Sequence, residues 1–293
     1  MAAWESGESP LVGIVADSRL SGNGATLSDA GIKTYEIGGR SAMVAAGHAL
    51  PAIAAAEIVR PIIENHNRHN RKPLGFYDTV RLMCFFLRRS TRDTNWECEV
   101  VVTGFLESGR PCLARAVVSP CRNRVAFFSA EENDRLVIPV GNREASRLLL
   151  QGLAAAREQG RPTFVSGISL IWYMCRHPGA FSSLGGGLSV GSCSRDDAYF
   201  SWPHVEIENR RFFRGMDVTD SVRSSWPAAQ IVEYDEAWCA ALDLKVNRNL
   251  DDVQHPARES GGGYEIDVLS TPDTLFQMHD DPVAFDNGLP RDG

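Results

Sequence analysis

The stretch that decides the predicted fold is LVGIVADSRLSGNGATLSDAGIKTYEIGGRSAMVAAG, residues 11–47. Apolar runs separated by glycine-containing turns are typical of an antiparallel sheet. The pattern predicts one strand that ends at Asp17, a second over residues 33–37, and a third over residues 42–46 that runs into Gly47. Chemically distinct groups therefore stand at neighbouring strand ends, and we expect them to converge on one point.

The spacing of these groups carries a resemblance to a known family. Asp17 lies in the run Ala16-Asp17-Ser18-Arg19, Lys33 follows sixteen residues later, and an apolar strand reaches Gly47 fourteen residues after Lys33. This segment resembles the proteasome family of N-terminal-nucleophile hydrolases, which includes the proteasome β subunits and the bacterial HslV peptidase. In that family the aspartate and the lysine flank an N-terminal threonine nucleophile, and the glycine N–H serves the oxyanion hole. The resemblance implies a catalytic set of Asp17, Lys33 and Gly47.

N-terminal-nucleophile chemistry explains why these residue types are needed. It uses a threonine, serine or cysteine whose own α-amino group acts as the base. A nearby lysine ammonium lowers the effective pKa of the nucleophile, and an aspartate holds that lysine. A backbone N–H at a strand end stabilises the developing oxyanion.

The nucleophile itself does not appear where the resemblance puts it. The position sixteen residues before Asp17 is Met1, and removal of Met1 would expose Ala2. Ser6 and Ser9 stand too close to Asp17 to replace it. Three interpretations stay open: the start codon is misassigned or the mature N-terminus is processed differently, the protein is an inactive subunit that keeps the scaffold, or the resemblance concerns the fold alone.

Asp17 and Lys33 also have structural interpretations. An aspartate at a strand end commonly accepts hydrogen bonds from its own turn. A lysine that opens a strand is commonly a solvated charge, and a buried Asp–Lys pair can be a structural ion pair without a catalytic role.

The resemblance implies an α+β fold, a four-layer αββα sandwich of two antiparallel sheets between helical layers. The periodicity agrees, because strands, helices, strands, helices and strands follow in that order. Helices are predicted over residues 48–65, 76–89 and 143–158, and residues 161–175 fit a helix or a strand. Pro61 should kink or split the first helix.

The chain is predicted to divide at residue 214. Residues 1–214 form the hydrolase-like domain, with a return strand over residues 199–207. Residues 215–293 are polar and glycine-containing and are expected to be a partly disordered extension. A short helix is expected around residues 235–244.

Composition excludes several classes of protein. With 293 residues and 43% hydrophobic content, the chain can bury a substantial core. A net charge of −7 argues against a nucleic-acid-binding surface. There is no apolar run of about 18 residues and no basic, apolar leader, so we expect a cytoplasmic protein without a membrane segment. The seven cysteines lack paired short spacings and predict neither a zinc site nor a disulfide framework.

The remaining candidate sites carry less information. The run Cys175-Arg176-His177 has no second pair of metal ligands, so neither a metal nor a cofactor is predicted. His48 is expected either to line the pocket or to cap the following helix. The glycines at 185–187 lack the Lys-Ser/Thr of a phosphate loop. Ser182 or Ser183 stands where relatives carry a serine that supports the nucleophile.

These observations predict a cytoplasmic, proteasome-like homo-oligomer whose ancestral activity is threonine-type hydrolysis of peptide or protein substrates. The missing nucleophile makes it catalytically degenerate. The alternatives are a non-enzymatic scaffold or binding subunit of an oligomer, and an active peptidase whose true N-terminus differs from Met1. An unrelated α+β hydrolase that uses a serine within residues 182–194 is a further alternative, although no G-x-S-x-G elbow is present.

Overall fold

The computed structural model describes residues 1–5, 10–22, 25–119, 122–129, 135–177, 181, 184–221, 229–242, 244 and 274–277. These residues form a mixed α+β protein with several antiparallel sheets and five α-helices. No helix in this part of the chain combines the length and the apolar character that crossing a membrane requires.

The predicted order is strands, two helices, strands, one or two helices and strands, and the described elements follow it with two helices in the second helical segment. The helices are α1 Ala49–His69, α2 Phe76–Thr91, α3 Arg143–Glu158, α4 Thr163–Arg176 and α5 Glu236–Ala241. The strands are β1 Ala2–Glu5, β2 Leu11–Asp17, β3 Leu20–Gly22, β4 Ala25–Ser28, β5 Thr34–Gly38, β6 Ser41–Gly47, β7 Cys98–Phe105, β8 Pro111–Ser119, β9 Arg122–Ser129, β10 Arg135–Ile138, β11 Leu188–Ser194, β12 Val205–Ile207, β13 Arg210–Phe213, β14 Met216–Asp217, β15 Gln230–Ile231 and β16 Thr274–Gln277.

Two antiparallel sheets form the body of the protein. One has the strand order β10-β1-β2-β11, and the other has the order β16-β9-β8-β7-β6-β5. β3 and β4 form a two-stranded ribbon beside them, and β14-β13-β12-β15 form a small fourth sheet in which β12 and β15 run parallel.

The alternation of side chains along each strand assigns its two faces to different parts of the core. In β7, Val100 and Val102 pack with α1 and α2, whereas Val101 packs in a cluster shared by both large sheets. In β2, Ile14 belongs to that shared cluster, whereas Val15 packs with residues of α3 and α4. Both faces of each large sheet are therefore covered in the described residues.

The structure bears on two helix predictions. Pro61 is predicted to kink or split the first helix. α1 runs without interruption from Ala49 to His69 with Pro61 inside it, so the split is wrong and the kink stays a prediction. The ambiguous residues 161–175 are helical as α4, with eleven of fourteen residues buried. A helix buried on nearly all sides has no polar face, which is why its periodicity did not separate helix from strand.

The predicted return strand over residues 199–207 is wrong in extent. Only Ser201 bridges to β11, by a mutual pair of backbone hydrogen bonds with Ser192 of 2.8 and 3.0 Å. Pro203 follows two residues later, and a proline has no N–H with which to continue a strand ladder. The chain then turns into β12, which pairs with β13 and β15 instead.

Part of the predicted C-terminal extension is folded. The small sheet draws strands from both sides of residue 214, and α5 confirms the helix expected around residues 235–244. Trp238 and Cys239 of α5 are buried in the cluster with α3 and α4. The division at residue 214 stays a prediction, and the predicted partial disorder concerns residues that mostly lie outside the described ranges.

Candidate active site

Asp17 and Lys33 meet at the ends of β2 and β5. Lys33 lies one residue before β5, and its carbonyl accepts a hydrogen bond of 2.9 Å from Ala45 N of β6, so its backbone is fixed by the sheet. Lys33 Nζ donates to Asp17 Oδ1 at 2.8 Å. The side chains are 20% and 8% exposed, respectively. The structure therefore brings these two predicted site residues together as a largely buried ion pair.

The carboxylate of Asp17 is held from several sides. Its Oδ2 accepts from the backbone N–H of Arg19 and of Gly185, both at 3.2 Å. Because three donors form hydrogen bonds with its two oxygens, the orientation of the carboxylate is fixed. The carboxylate in turn fixes the position of the Lys33 ammonium.

Gly47 ends β6 on the same side as Lys33. Backbone N–H groups alternate in direction along a strand. Ala45 N donates to Lys33 O, whereas His48 N donates to Glu97 O of the segment that leads into β7. Gly47 lies two residues after Ala45, so its N–H points to the same side of β6 as that of Ala45, away from β7. Its φ of +84°, and a Cβ position only 2.5 Å from Glu97 O, explain why glycine stands here.

Residue 1 continues the β1–β2 ladder next to this pair. Met1 N donates to Val15 O at 2.9 Å, and Val15 N donates to Met1 O at 2.9 Å. The Met1 side chain is 5% exposed, and its end packs against Gly167 of α4, where no Cβ fills the space. The position that the resemblance gives to the nucleophile thus carries a buried thioether.

The α-amino group of Met1 lies in the electrostatic field of the ion pair. Burial lowers its pKa from 8.0 to about 5. Asp17 and Glu99 favour the charged amine, and Lys33 opposes it, but loss of hydration outweighs these charges. The amine is therefore neutral at pH 7.

Asp17, Lys33, Gly47 and Met1 line one cavity of about 630 Å³. The remaining walls are mostly apolar. The β3–β4 ribbon contributes Leu20 and Leu27, and the helices α3 and α4 contribute residues such as Leu149 and Met174. A volume of this size lies in the range of about 300–1,000 Å³ that small-ligand sites occupy.

Sequence reasoning missed the part of the cavity that comes from the start of α3. Asn142 lines the cavity, and its side chain accepts a hydrogen bond of 3.0 Å from Ala145 N. The signal was available, since an asparagine directly before an apolar helical period is a helix N-cap.

His48 lines the cavity, as one of its two predicted roles requires. The other role is wrong, because His48 occupies the N-cap position of α1 without a capping hydrogen bond from its side chain. Its ring stacks on Trp96 instead, with the centroids 5.9 Å apart, and its Nδ1 accepts from Glu97 N at 3.1 Å.

The glycine run at 185–187 supports the end of β2. Besides the bond from Gly185 to Asp17, Gly187 N donates to Ser18 Oγ at 2.8 Å. Ser182 and Ser183 lie outside the described residues.

The cysteines and possible metal ligands offer no competing site in the described part of the chain. Six cysteines there are buried and free of disulfides, and burial raises the pKa of thiols such as Cys84 and Cys98 to about 12. No three His, Cys, Asp or Glu side chains among the described residues converge as metal ligands.

No family model matches this chain, and no curated protein sequence matches it. The site is therefore interpreted from its own residues. A fixed ammonium, a strand-end N–H and an apolar cavity together can bind and polarise a carbonyl or carboxylate oxygen.

Proposed function

We propose that this chain is a proteasome-like member of the N-terminal-nucleophile hydrolase superfamily that keeps the peptide pocket but lacks the nucleophile. The observation that carries the proposal is the Lys33 Nζ–Asp17 Oδ1 contact of 2.8 Å in the cavity that Met1 and Gly47 also line. A lysine held by an aspartate beside residue 1 is what the chemistry of this superfamily requires.

Contacts among the described elements support the finer fold assignment, the αββα sandwich. α1 and α2 contact strands of the six-stranded sheet, β1 and β2 contact β6, β7 and β8 of that sheet, and α4 contacts β1 and β2 from the other side. α3 packs on α4. Four layers in the order helix, sheet, sheet, helix account for all of these contacts.

The side chain at residue 1 supports the degenerate state. A thioether has no proton to give and is only a weak hydrogen-bond acceptor. The Met1 side chain is also buried against α4, away from water. With methionine at this position, the pocket can bind a peptide but has no hydroxyl or thiol there to form an acyl intermediate.

The expected homo-oligomer is part of the proposal. The described surface of α1 exposes four large apolar side chains, which are Leu50, Ile53, Ile58 and Ile62. Apolar side chains that one chain leaves exposed can be covered by a neighbouring copy in an oligomer. Light scattering after size exclusion should give a multiple of the 32.1 kDa chain mass, and a monomer at all concentrations would contradict this part.

The decisive experiment restores the missing group. The variant Met1→Thr is produced behind a cleavable fusion so that the threonine carries a free α-amine, and it is treated with a threonine-directed epoxyketone. We expect a covalent adduct by mass spectrometry, because Lys33, Asp17 and Gly47 line the same cavity as residue 1. The unsubstituted chain should stay unlabelled.

The matched control is Met1→Val, which has the shape of threonine without its hydroxyl. It should stay unlabelled, as should Lys33→Met combined with Met1→Thr. A folded Met1→Thr variant that forms no adduct would sink the assignment to this superfamily.

A further inference from the structure

The Lys33 ammonium has more donors than the described part of the protein uses. A lysine ammonium carries three N–H groups. In the described residues, Lys33 Nζ has one hydrogen-bond acceptor, Asp17 Oδ1. Asp17, by contrast, accepts three hydrogen bonds on its two oxygens. The ion pair therefore lacks acceptors on the lysine side, although that side chain is only 20% exposed.

The charged side chains of the described cavity lining are paired, so the cavity offers a ligand N–H donors and no excess of charge. Asp17 is the one acidic side chain of that lining and pairs with Lys33, and Arg19 pairs with Asp29 at 2.7 Å. The N–H of Gly47 points away from β7, toward the side on which Lys33 lies. The first turn of α3, with Asn142, also borders the cavity, and the positive end of a helix dipole favours an anion.

We propose that the cavity binds the C-terminal carboxylate of a peptide whose last side chain is apolar. The carboxylate lies between Lys33 Nζ and Gly47 N–H, and the apolar side chain lies against Tyr35, Ala45 and Leu20. This inference rests on the proposed function, because it takes the cavity to be a peptide pocket. The proposed ligand is a peptide with a free C-terminal carboxylate, which the cavity binds without cleaving a peptide bond.

The physical reason is the difference between a charged and a neutral acceptor. Hydrogen bonds between an ammonium and a carboxylate are about twice as strong as neutral ones. The difference is larger where water is largely excluded, as it is around this side chain. A C-terminal amide of the same peptide keeps every apolar contact but loses the charge and replaces one acceptor oxygen by an NH2 donor. It should therefore bind about tenfold more weakly, a difference of about 1.4 kcal/mol.

The test is calorimetric titration of the full chain with N-acetyl-Leu-Leu-Leu as the free acid and as its C-terminal amide. Decanoate, a carboxylate on an apolar body without peptide groups, is the third ligand. We expect the peptide acid to bind about tenfold more tightly than the amide and more tightly than decanoate. Equal binding of acid and amide would overturn the proposal, and tighter binding of decanoate would overturn the assignment to peptides.

Two variants locate the effect. Lys33→Met removes the charge and should abolish the preference for the acid. Lys72→Met removes a lysine whose side chain is 71% exposed and should leave the preference unchanged. If the Met1→Thr variant is labelled by the epoxyketone while the peptide acid and amide bind equally, this inference fails and the proposed function stands.

Discussion

Lys33 stands out at the residue scale because lysine is rare in this chain. Among 30 basic residues only three are lysines, at positions 33, 72 and 245. Arginine and lysine are not interchangeable, since a guanidinium is a planar fork and an ammonium is a compact point charge. A chain that uses arginine almost everywhere else keeps lysine at the one position where a compact charge faces Asp17 and residue 1. This composition is a sequence signal for the site that does not depend on the resemblance.

The backbone at Gly47 allows a test of how tightly the strand end is built. Gly47→Ala places a Cβ 2.5 Å from the Glu97 carbonyl oxygen at φ +84°. Because that oxygen belongs to backbone, it cannot swing away, and we expect the free energy of unfolding to fall by about 2–4 kcal/mol. Urea denaturation measures the change.

Gly160 provides the control for this substitution. It has a φ of +68° and nothing within 4 Å of a Cβ. Gly160→Ala should therefore lose only the conformational term, about 1 kcal/mol. If both variants lose the same free energy of unfolding, the contact between the added Cβ and the Glu97 carbonyl oxygen does not destabilise the protein.

The buried amine of Met1 predicts a pH dependence. Its pKa is about 5 in the folded chain and 8.0 without burial, so between these values the unfolded chain binds more protons than the folded chain. Stability is then fully present above pH 8 and falls as the pH drops toward 5, by up to about 1.4 kcal/mol per pH unit. Denaturation midpoints at pH 8 and pH 5.5 measure this, with the α-amine acetylated as the control. A slope that acetylation leaves unchanged would assign the effect to other groups.

At the residue scale, the sequence suggested that Asp17, Lys33 and Gly47 converge, because their strands were taken as neighbours in one antiparallel sheet. The three residues do line one cavity, but for another reason: β2 belongs to the four-stranded sheet, β5 and β6 belong to the six-stranded sheet, and the strand ends meet where the two sheets pack together. The sequence did not reveal that α3 and α4 close the cavity. Leu149 and Met174 reach it through packing between elements more than a hundred residues apart in the chain. No local pattern reports such a contact.

At the scale of elements, α1 shows how packing overrides local preference. Pro61 lies in the helix interior, where it leaves the Glu57 carbonyl without its usual N–H partner and is expected to cost about 3 kcal/mol. The helix nevertheless continues, because Ala52, Ala55 and Val59 before the proline and Ile63 after it are buried in one cluster. The prediction that Pro61 splits the helix was based on the proline alone and left out the burial of these side chains.

Pro61→Ala should therefore stabilise the protein. The restored hydrogen bond and the relieved ring contact outweigh the greater freedom of the unfolded chain, so we expect a gain of about 1–2 kcal/mol in the free energy of unfolding. Pro51, the third residue of α1, is the comparison, because the first four N–H groups of a helix have no intrahelical partner. Pro51→Ala should bring no gain, and a gain there equal to that of Pro61→Ala would refute the explanation.

At the scale of the whole molecule, the order of strands and helices was readable from periodicity, but the packing of the segment after residue 214 was not. Polar composition after residue 214 suggested an extension, yet α5 lies within it. Trp238 is 8% exposed, and its Nε1 donates to Gln159 Oε1 at 2.9 Å. The Arg161 guanidinium lies 4.5 Å from the centre of its ring. A short apolar helix in a polar segment gives too weak a compositional signal to be assigned to a core.

Two truncated chains test where the body ends. A chain that ends at Leu244 keeps α5, whereas a chain that ends at Ser221 loses Val232, Trp238 and Cys239 from the cluster with α3 and α4. Loss of one buried tryptophan alone is worth about 3–5 kcal/mol. We expect the shorter chain to lose at least that much relative to the longer one, with both measured by urea denaturation. If the two chains unfold at the same midpoint, residues 222–244 are not part of the cooperative unit, and the body ends close to the predicted boundary at residue 214.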